Sequence, residues 1–156
     1  MVRDRRVWPA TTARGGLESP AMTHFFDIDA ANEALIEVGP LLATLRDQRL
    51  ELIRLRDRTL ATHSAAGGAS GGEDDAEDQR LRLRMKGIVD QMAAAVAHLD
   101  GLGIMLRDIE QGLIDFPALV SGRQIWLCWQ SGETDISFWH ELETGFASRR
   151  LLIELV

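Results

Sequence analysis

Scarcity is the first feature of this 156-residue sequence, which has one cysteine, one lysine and no long apolar run. A single cysteine cannot form an internal disulfide, so we expect Cys128 to be a reduced thiol and the protein to be cytoplasmic. No stretch approaches the ~18 consecutive apolar residues of a membrane-spanning helix. The N-terminal arginines are not followed by the apolar region of a secretory signal. We therefore expect no membrane partner.

Positive charge is scarce relative to negative charge. Lys and Arg together number 17 against 24 Asp and Glu, so the formal net charge is −7. Nucleic-acid backbones and anionic membranes attract basic surfaces, and this balance argues against either as the main partner. Lys86 is the only lysine. We attribute the preference for arginine to the codon usage of a GC-rich genome.

The chain length suits one domain with a tail. Residues 1–24 show no periodicity and are predicted to be a disordered tail, whereas residues 25–156 are predicted to form a single domain. Its first helix is expected to start with Asp27 as N-cap and to end near Ala61. Pro40 lies inside this helix and is predicted to kink it.

The second helix is predicted from about Asp75 to Leu99, and Gly101 is expected to end it in the left-handed conformation. Residues 62–79, which are Gly-rich and then acidic, predict a flexible linker between the two helices. Both helices carry widened or doubled apolar stripes, which are more than an antiparallel two-helix hairpin can cover. We therefore expect a homodimer in which two hairpins form a four-helix bundle. In the first helix one stripe is Leu35, Val38, Leu42, Leu45 and Leu52, and the second is Leu41, Leu50, Ile53 and Leu60. In the second helix the stripe is Leu81, Met85, Ile88, Met92, Ala95 and Leu99, and it is widened by Val89 and Val96.

The periodicity changes after Gly103 and favours short strands. Residues 104–109 predict a strand, and residues 110–112 predict a turn. Residues 115–118 are interpreted as a turn or a short helical start, in which Asp115 would cap nearby N–H groups. Residues 151–156 are a candidate for one more strand.

Residues 123–146 contain three of the four tryptophans and alternate as in a β-hairpin around residues 131–134. A loop of even length would leave one face wholly apolar, formed by Ile125, Leu127, Trp129, Ile136 and Phe138, and we favour this register. An odd loop would reverse the second strand and move Trp139 onto that face. In the favoured register Trp126, Trp139 and Cys128 share the other face, which predicts an aromatic interaction patch.

Two candidate metal sites include His140. The first combines Cys128 and His140 with Glu133, Glu141 or Glu143, which are suitable atom types for zinc, but the favoured register places Cys128 and His140 on opposite faces. The second combines His140 with nearby residues and the end of the second helix, and it would suit a divalent metal or general-base chemistry. Its members are His140, Glu141, Glu143, His98 and Asp100.

Motifs of nucleotide binding are absent, since the sequence has no P-loop and no GxGxxG. Cys128 lies between two tryptophans, a setting more typical of a packed thiol than of a reactive one. No catalytic residue is predicted.

Several short motifs together resemble the prokaryotic domain-of-unknown-function family numbered 2203. They are an Asn32-containing helix start followed by Pro40, then GLIDFPAL (112–119), LCW (127–129), GE (132–133), FWHE (138–141) and GF (145–146). The resemblance covers residues 25–149 and supports the architecture, but it implies no activity, cofactor or substrate.

The predicted fold is α+β: a long antiparallel helical hairpin followed by a small antiparallel sheet packed against it. The leading functional hypothesis is a non-enzymatic, homo-oligomeric assembly protein without a cofactor. The alternative is a divalent-metal-binding or metal-dependent protein, with zinc as an example, whose site is centred on His140, Glu141 and Glu143.

Overall fold

The computed structural model describes residues 24–65 and 72–155. Two helices precede a five-stranded antiparallel sheet, so the predicted α+β class is confirmed. Most of the predicted tail (1–23) and the Gly-rich part of the predicted linker (66–71) lie outside the described residues. The elements are α1 (Ile28–Ala65), α2 (Gly72–Gly101), β1 (Met105–Asp108), β2 (Leu113–Val120), β3 (Arg123–Gln130), β4 (Phe138–His140) and β5 (Arg150–Leu151), with short 3-10 helices at Phe146–Ser148 and Leu152–Leu155.

Helix α1 begins at the predicted cap. The carboxylate of Asp27 accepts a hydrogen bond of 2.7 Å from the Ala30 N–H, which satisfies one of the free donors of the first turn. The helix continues through Pro40 to Ala65; the kink at Pro40 stays a prediction. Both helices extend into the residues expected to be linker, because α1 includes 62–65 and α2 begins at Gly72.

Helix α2 ends two residues later than the sequence predicts. Gly103, with φ of 77°, takes the left-handed conformation expected of Gly101, which is still helical. The Ile104 N–H donates to the Leu99 carbonyl over 3.0 Å and closes this turn. Within the described residues, neither helix is long and apolar enough to cross a membrane.

The strands form a meander in the order β1-β2-β3-β4-β5. The turn between β2 and β3 consists of Ser121 (φ 51°) and Gly122 (φ 78°), the positive values of a tight hairpin. Strand β2 includes residues 115–118, so their interpretation as a turn or helical start is wrong. Pro117 is tolerated there because its carbonyl, and therefore its nitrogen, points away from β3. That carbonyl accepts a hydrogen bond from the Phe26 N–H at 2.7 Å.

The favoured register of the β3–β4 hairpin is also wrong. Leu127 pairs with Trp139 and Cys128 with Phe138, which is the odd-loop register. The reason is Ile136, which does not pair with Trp129. It is buried in the connecting loop, where its N–H donates to the side chain of Asn32 in α1 over 2.8 Å.

This register gives the sheet two different faces. The inner face packs on the helices and is apolar; it consists of Ile114, Phe116, Ala118, Ile125, Leu127, Trp129 and Trp139. The core is completed from α1 by Ala31, Val38, Leu42 and Leu45 and from α2 by Leu99. The outer face carries Asp115 and Pro117 from β2, Trp126 and Cys128 from β3, and Phe138 and His140 from β4.

Candidate metal centre

Three buried polar side chains converge on the outer face of the sheet. Asp115, Cys128 and His140 come from the neighbouring strands β2, β3 and β4, and their exposed fractions are 1%, 0% and 2%. Asp115 lies directly opposite Cys128 in the ladder. One oxygen, the sulfur and one ring nitrogen of these residues all lie within 4.8 Å of one another.

The ring of His140 is held by its own neighbour. Its Nδ1 lies 2.8 Å from the backbone carbonyl of Glu141. A carbonyl oxygen only accepts, so Nδ1 carries the proton of this bond. The other ring nitrogen, Nε2, faces the cluster and lies 3.0 Å from Asp115 Oδ2. This orientation is the one that metal-binding histidines usually have.

The two carboxylate oxygens of Asp115 have different environments. Oδ2 accepts a hydrogen bond of 2.7 Å from Nε of Arg107 on β1 and also faces His140. Oδ1 is buried, and none of the residues in 24–65 and 72–155 donates a hydrogen bond to it. A buried acceptor without a donor costs about 1–3 kcal/mol. Oδ1 is therefore a fixed, desolvated oxygen with free lone pairs inside the cluster.

Arg107 is placed to orient Asp115. Its guanidinium carbon lies 4.9 Å from the ring centroid of Trp126, a cation–π contact that helps to hold the side chain in place. From this position Nε reaches Asp115, while 38% of the side chain stays exposed. Arg107 thus fixes which carboxylate oxygen is used in the salt bridge and which one is left free.

Cys128 is a thiol in the metal-free protein. Burial, and then the negative charge of Asp115, raise the pKa of Cys128 to about 12. A thiol with this pKa is a poor nucleophile at neutral pH, in agreement with the prediction that Cys128 is packed. A bound divalent cation is the kind of partner that would stabilise the thiolate, because metal–thiolate bonds form with release of the proton.

A cavity of about 280 Å³ opens onto the cluster. Its polar residues are Arg107, Asp115, His140 and Thr144, so two of the three candidate ligands are reached from it. Its apolar residues are Leu113, Leu142 and Phe146. A metal held by the cluster would therefore have one side directed towards protein strands and the other towards this cavity.

A family model matches residues 24–152, a range that contains every residue of the cluster and of the cavity. The chain belongs to this family. It is the family described as "Uncharacterized conserved protein (DUF2203)". The resemblance of the short motifs is thereby confirmed. No curated protein and no solved structure matched the chain.

Of the predicted ligands in this DUF2203 chain, Cys128 and His140 meet, because the odd register places them on one face. Glu141 contributes its backbone carbonyl, whereas its carboxylate pairs with Arg123 at 3.2 Å. The other predicted ligands lie apart from the cluster. Glu143 and Asp100 are exposed, His98 pairs with Glu37 at 2.6 Å between the helices, and Glu133 pairs with Arg149 at 2.6 Å.

The predicted interaction patch does not form. Trp126 and Trp139 lie on opposite faces of the sheet, and Trp139 and Cys128 are buried. The indole N–H of Trp139 donates to the Leu151 carbonyl at 3.2 Å. Trp126 stays half-buried beneath Arg107. The physical reason is again the odd register, which turns Trp139 towards the core.

Sequence reasoning missed Asp115 and Arg107. Asp115 is the only charged residue in the run LIDFPALV, which forms β2. A lone carboxylate within a buried strand is costly unless it is paired or binds a cation, and this signal could have identified it. Pro117 suggested a turn over residues 115–118, and for this reason strand β2 was not predicted.

Proposed function

We propose that this protein binds one divalent transition metal ion, with zinc as the best fit, through Asp115, Cys128 and His140. The observation that carries the proposal is the convergence of a sulfur, a ring nitrogen and a carboxylate oxygen, all buried, within 4.8 Å. Zinc–ligand bonds are about 2.0–2.3 Å long, so the three atoms would share one ion after a small approach of their side chains.

The donor set selects the class of metal. Magnesium and calcium take oxygen ligands, whereas a thiolate and an imidazole favour zinc and related transition metals. Arg107 and the Glu141 carbonyl support the proposal as outer partners, because they fix the orientation of Asp115 and His140. Three protein ligands also leave a coordination position for another molecule, as in catalytic zinc sites.

A purely structural role explains the cluster less well. Buried charged pairs often contribute little net stability compared with apolar residues of similar volume. Here Oδ1 of Asp115 is a buried carboxylate oxygen without a donor among the described residues. This oxygen is a cost in the metal-free protein, and metal coordination would remove that cost.

Metal analysis of protein purified without a histidine tag tests the proposal. We expect about one zinc per chain by elemental analysis and competition with a chromogenic chelator. Cys128→Ala and Asp115→Asn are expected to weaken zinc binding by at least about 100-fold, beyond the 10–100-fold typical of residues that only orient a ligand. His98→Ala, which removes an exposed histidine of the helices, is the control. Zinc binding that is equal in all four proteins, or absent from the wild type, would contradict the proposal.

Homo-oligomeric, non-enzymatic assembly is the second candidate, and the exposed aliphatic side chains of the helices favour it. Ile36 of α1 is 79% exposed and Leu83 of α2 is 64% exposed; Leu60 and Val89 are more than half exposed. A second copy of the chain could cover these side chains in a helical bundle. Sedimentation velocity at micromolar concentration tests this candidate: we expect a dimer, and a monomer would remove it.

A further inference from the structure

The cavity beside the cluster combines a fixed positive charge with a small apolar wall. Arg107 lines it, and Nε is the only nitrogen of this guanidinium with an acceptor among the described residues. A guanidinium has five N–H donors in a fork that matches a carboxylate. The terminal N–H groups of Arg107 are therefore available to a ligand.

Charge balance favours an anionic ligand. A divalent ion with the carboxylate of Asp115 and the thiolate of Cys128 is neutral as a unit, since two positive charges meet two negative ones. Arg107 then adds one positive charge beside the open coordination position. In a partly desolvated cavity this charge favours an anion over a neutral molecule.

Size and lining restrict the anion further. The cavity volume of about 280 Å³ is at or below the lower end of the ~300–1,000 Å³ range of drug-sized ligand sites. Leu113, Leu142 and Phe146 form the apolar part of its wall. A short aliphatic chain would bury its surface there, whereas an inorganic anion would leave these side chains unused.

We propose that the site holds a small organic carboxylate, with one oxygen on the metal ion, the other on the terminal N–H groups of Arg107, and the apolar tail against Leu113, Leu142 and Phe146. This inference rests on the proposed metal binding. In this proposal the metal ion binds a ligand and does more than support the fold. Arg107 is then a ligand-binding residue as well as a positioning residue for Asp115.

Titration of the cobalt(II)-loaded full-length protein with acetate, butyrate and phosphate tests the inference, because exchange of a cobalt ligand changes the visible absorption spectrum. We expect a saturable change with both carboxylates, tighter for butyrate than for acetate. Arg107→Gln is expected to weaken butyrate binding by at least about 10-fold, the loss of one charge-assisted hydrogen bond. Arg150→Gln, which changes an arginine of β5 that pairs with Glu154, is the matched control.

The outcomes separate this inference from the metal proposal. Cobalt and zinc that bind stoichiometrically but give no spectral response to either carboxylate would overturn the carboxylate site and leave the metal site standing. A response to phosphate but not to butyrate would overturn the organic-acid assignment. Equal butyrate affinity in wild type and Arg107→Gln, with metal retained in both, would remove Arg107 from the site. Failure to bind any metal would overturn both proposals.

Discussion

The two faces of the sheet bury side chains of opposite chemical character. On the inner face Phe116, Leu127 and Trp139 are at most 1% exposed and contact the helices. On the outer face Asp115 and His140 are at most 2% exposed but are polar and ionisable. Burial of the inner residues stabilises the fold by removing apolar surface from water. Burial of the outer residues costs free energy unless each group has a partner, and Oδ1 of Asp115 has no donor among the described residues.

The inner face is expected to give the largest stability effect. Phe116→Ala removes a fully buried ring from β2 and should lower the free energy of unfolding by about 3–5 kcal/mol, through lost burial and a residual cavity. Guanidinium denaturation of metal-free protein measures it. Leu119→Ala, at a half-exposed position of the same strand, should change the value by no more than ~0.5 kcal/mol. Equal effects of the two substitutions would contradict the assignment of the faces.

The outer face is expected to gain its stability from metal. Zinc at about 100 times its dissociation constant should stabilise the wild type by about 2.7 kcal/mol, because the ion binds only the folded chain. For a domain of this size the gain corresponds to a rise in Tm of roughly 5–11 °C. The rise should disappear in Cys128→Ala and persist in His98→Ala, as measured by calorimetry with and without zinc. A rise that survives in Cys128→Ala would place the metal elsewhere.

The raised pKa of Cys128 makes the metal-free protein sensitive to alkali. The pKa is about 12 in the folded protein against 9.0 for an unperturbed thiol, so the folded state retains the proton more strongly. The associated stability is fully present below pH 9 and is lost as the pH rises towards 12. The free energy of unfolding should therefore fall between pH 9 and 10.5, and it should fall more steeply in the wild type than in Cys128→Ala. The difference in slope should reach about 1 kcal/mol per pH unit. Parallel curves for the two proteins would contradict this cause.

The surface of the helical hairpin is expected to give the smallest effect. Arg84 of α2 pairs with Glu51 of α1 at 2.7 Å, and the side chain of Arg84 is 64% exposed. Because solvent screens such a pair, Arg84→Ala should cost less than about 1 kcal/mol in denaturant unfolding. A larger loss would contradict the expectation that solvent screens this pair.

The elements of the fold could be predicted where a local signal fixes them. The cap at Asp27, the two helices and the strand near Met105 follow from side-chain chemistry and periodicity within a few residues. The β3–β4 register could not be predicted, because it depends on a hydrogen bond between Asn32 and Ile136, which are far apart in the sequence.

The candidate site depended on that same register. His140 and Cys128 were identified as suitable residue types, but the expected even loop separated them, and the observed odd loop joins them. Asp115 joins them because β2 pairs directly with β3. A site formed from three strands is a tertiary feature, and spacing in the sequence contains no signal for it.

X-ray absorption spectroscopy at the zinc edge, with wild type and Cys128→Ala compared, tests the central claim most directly. We expect one zinc–sulfur contact at about 2.3 Å and nitrogen or oxygen ligands at about 2.0–2.2 Å in the wild type. We expect the sulfur contact to be lost in Cys128→Ala. A zinc environment of nitrogen and oxygen alone in the wild type, or one unchanged by the substitution, would contradict a metal centre at Asp115, Cys128 and His140.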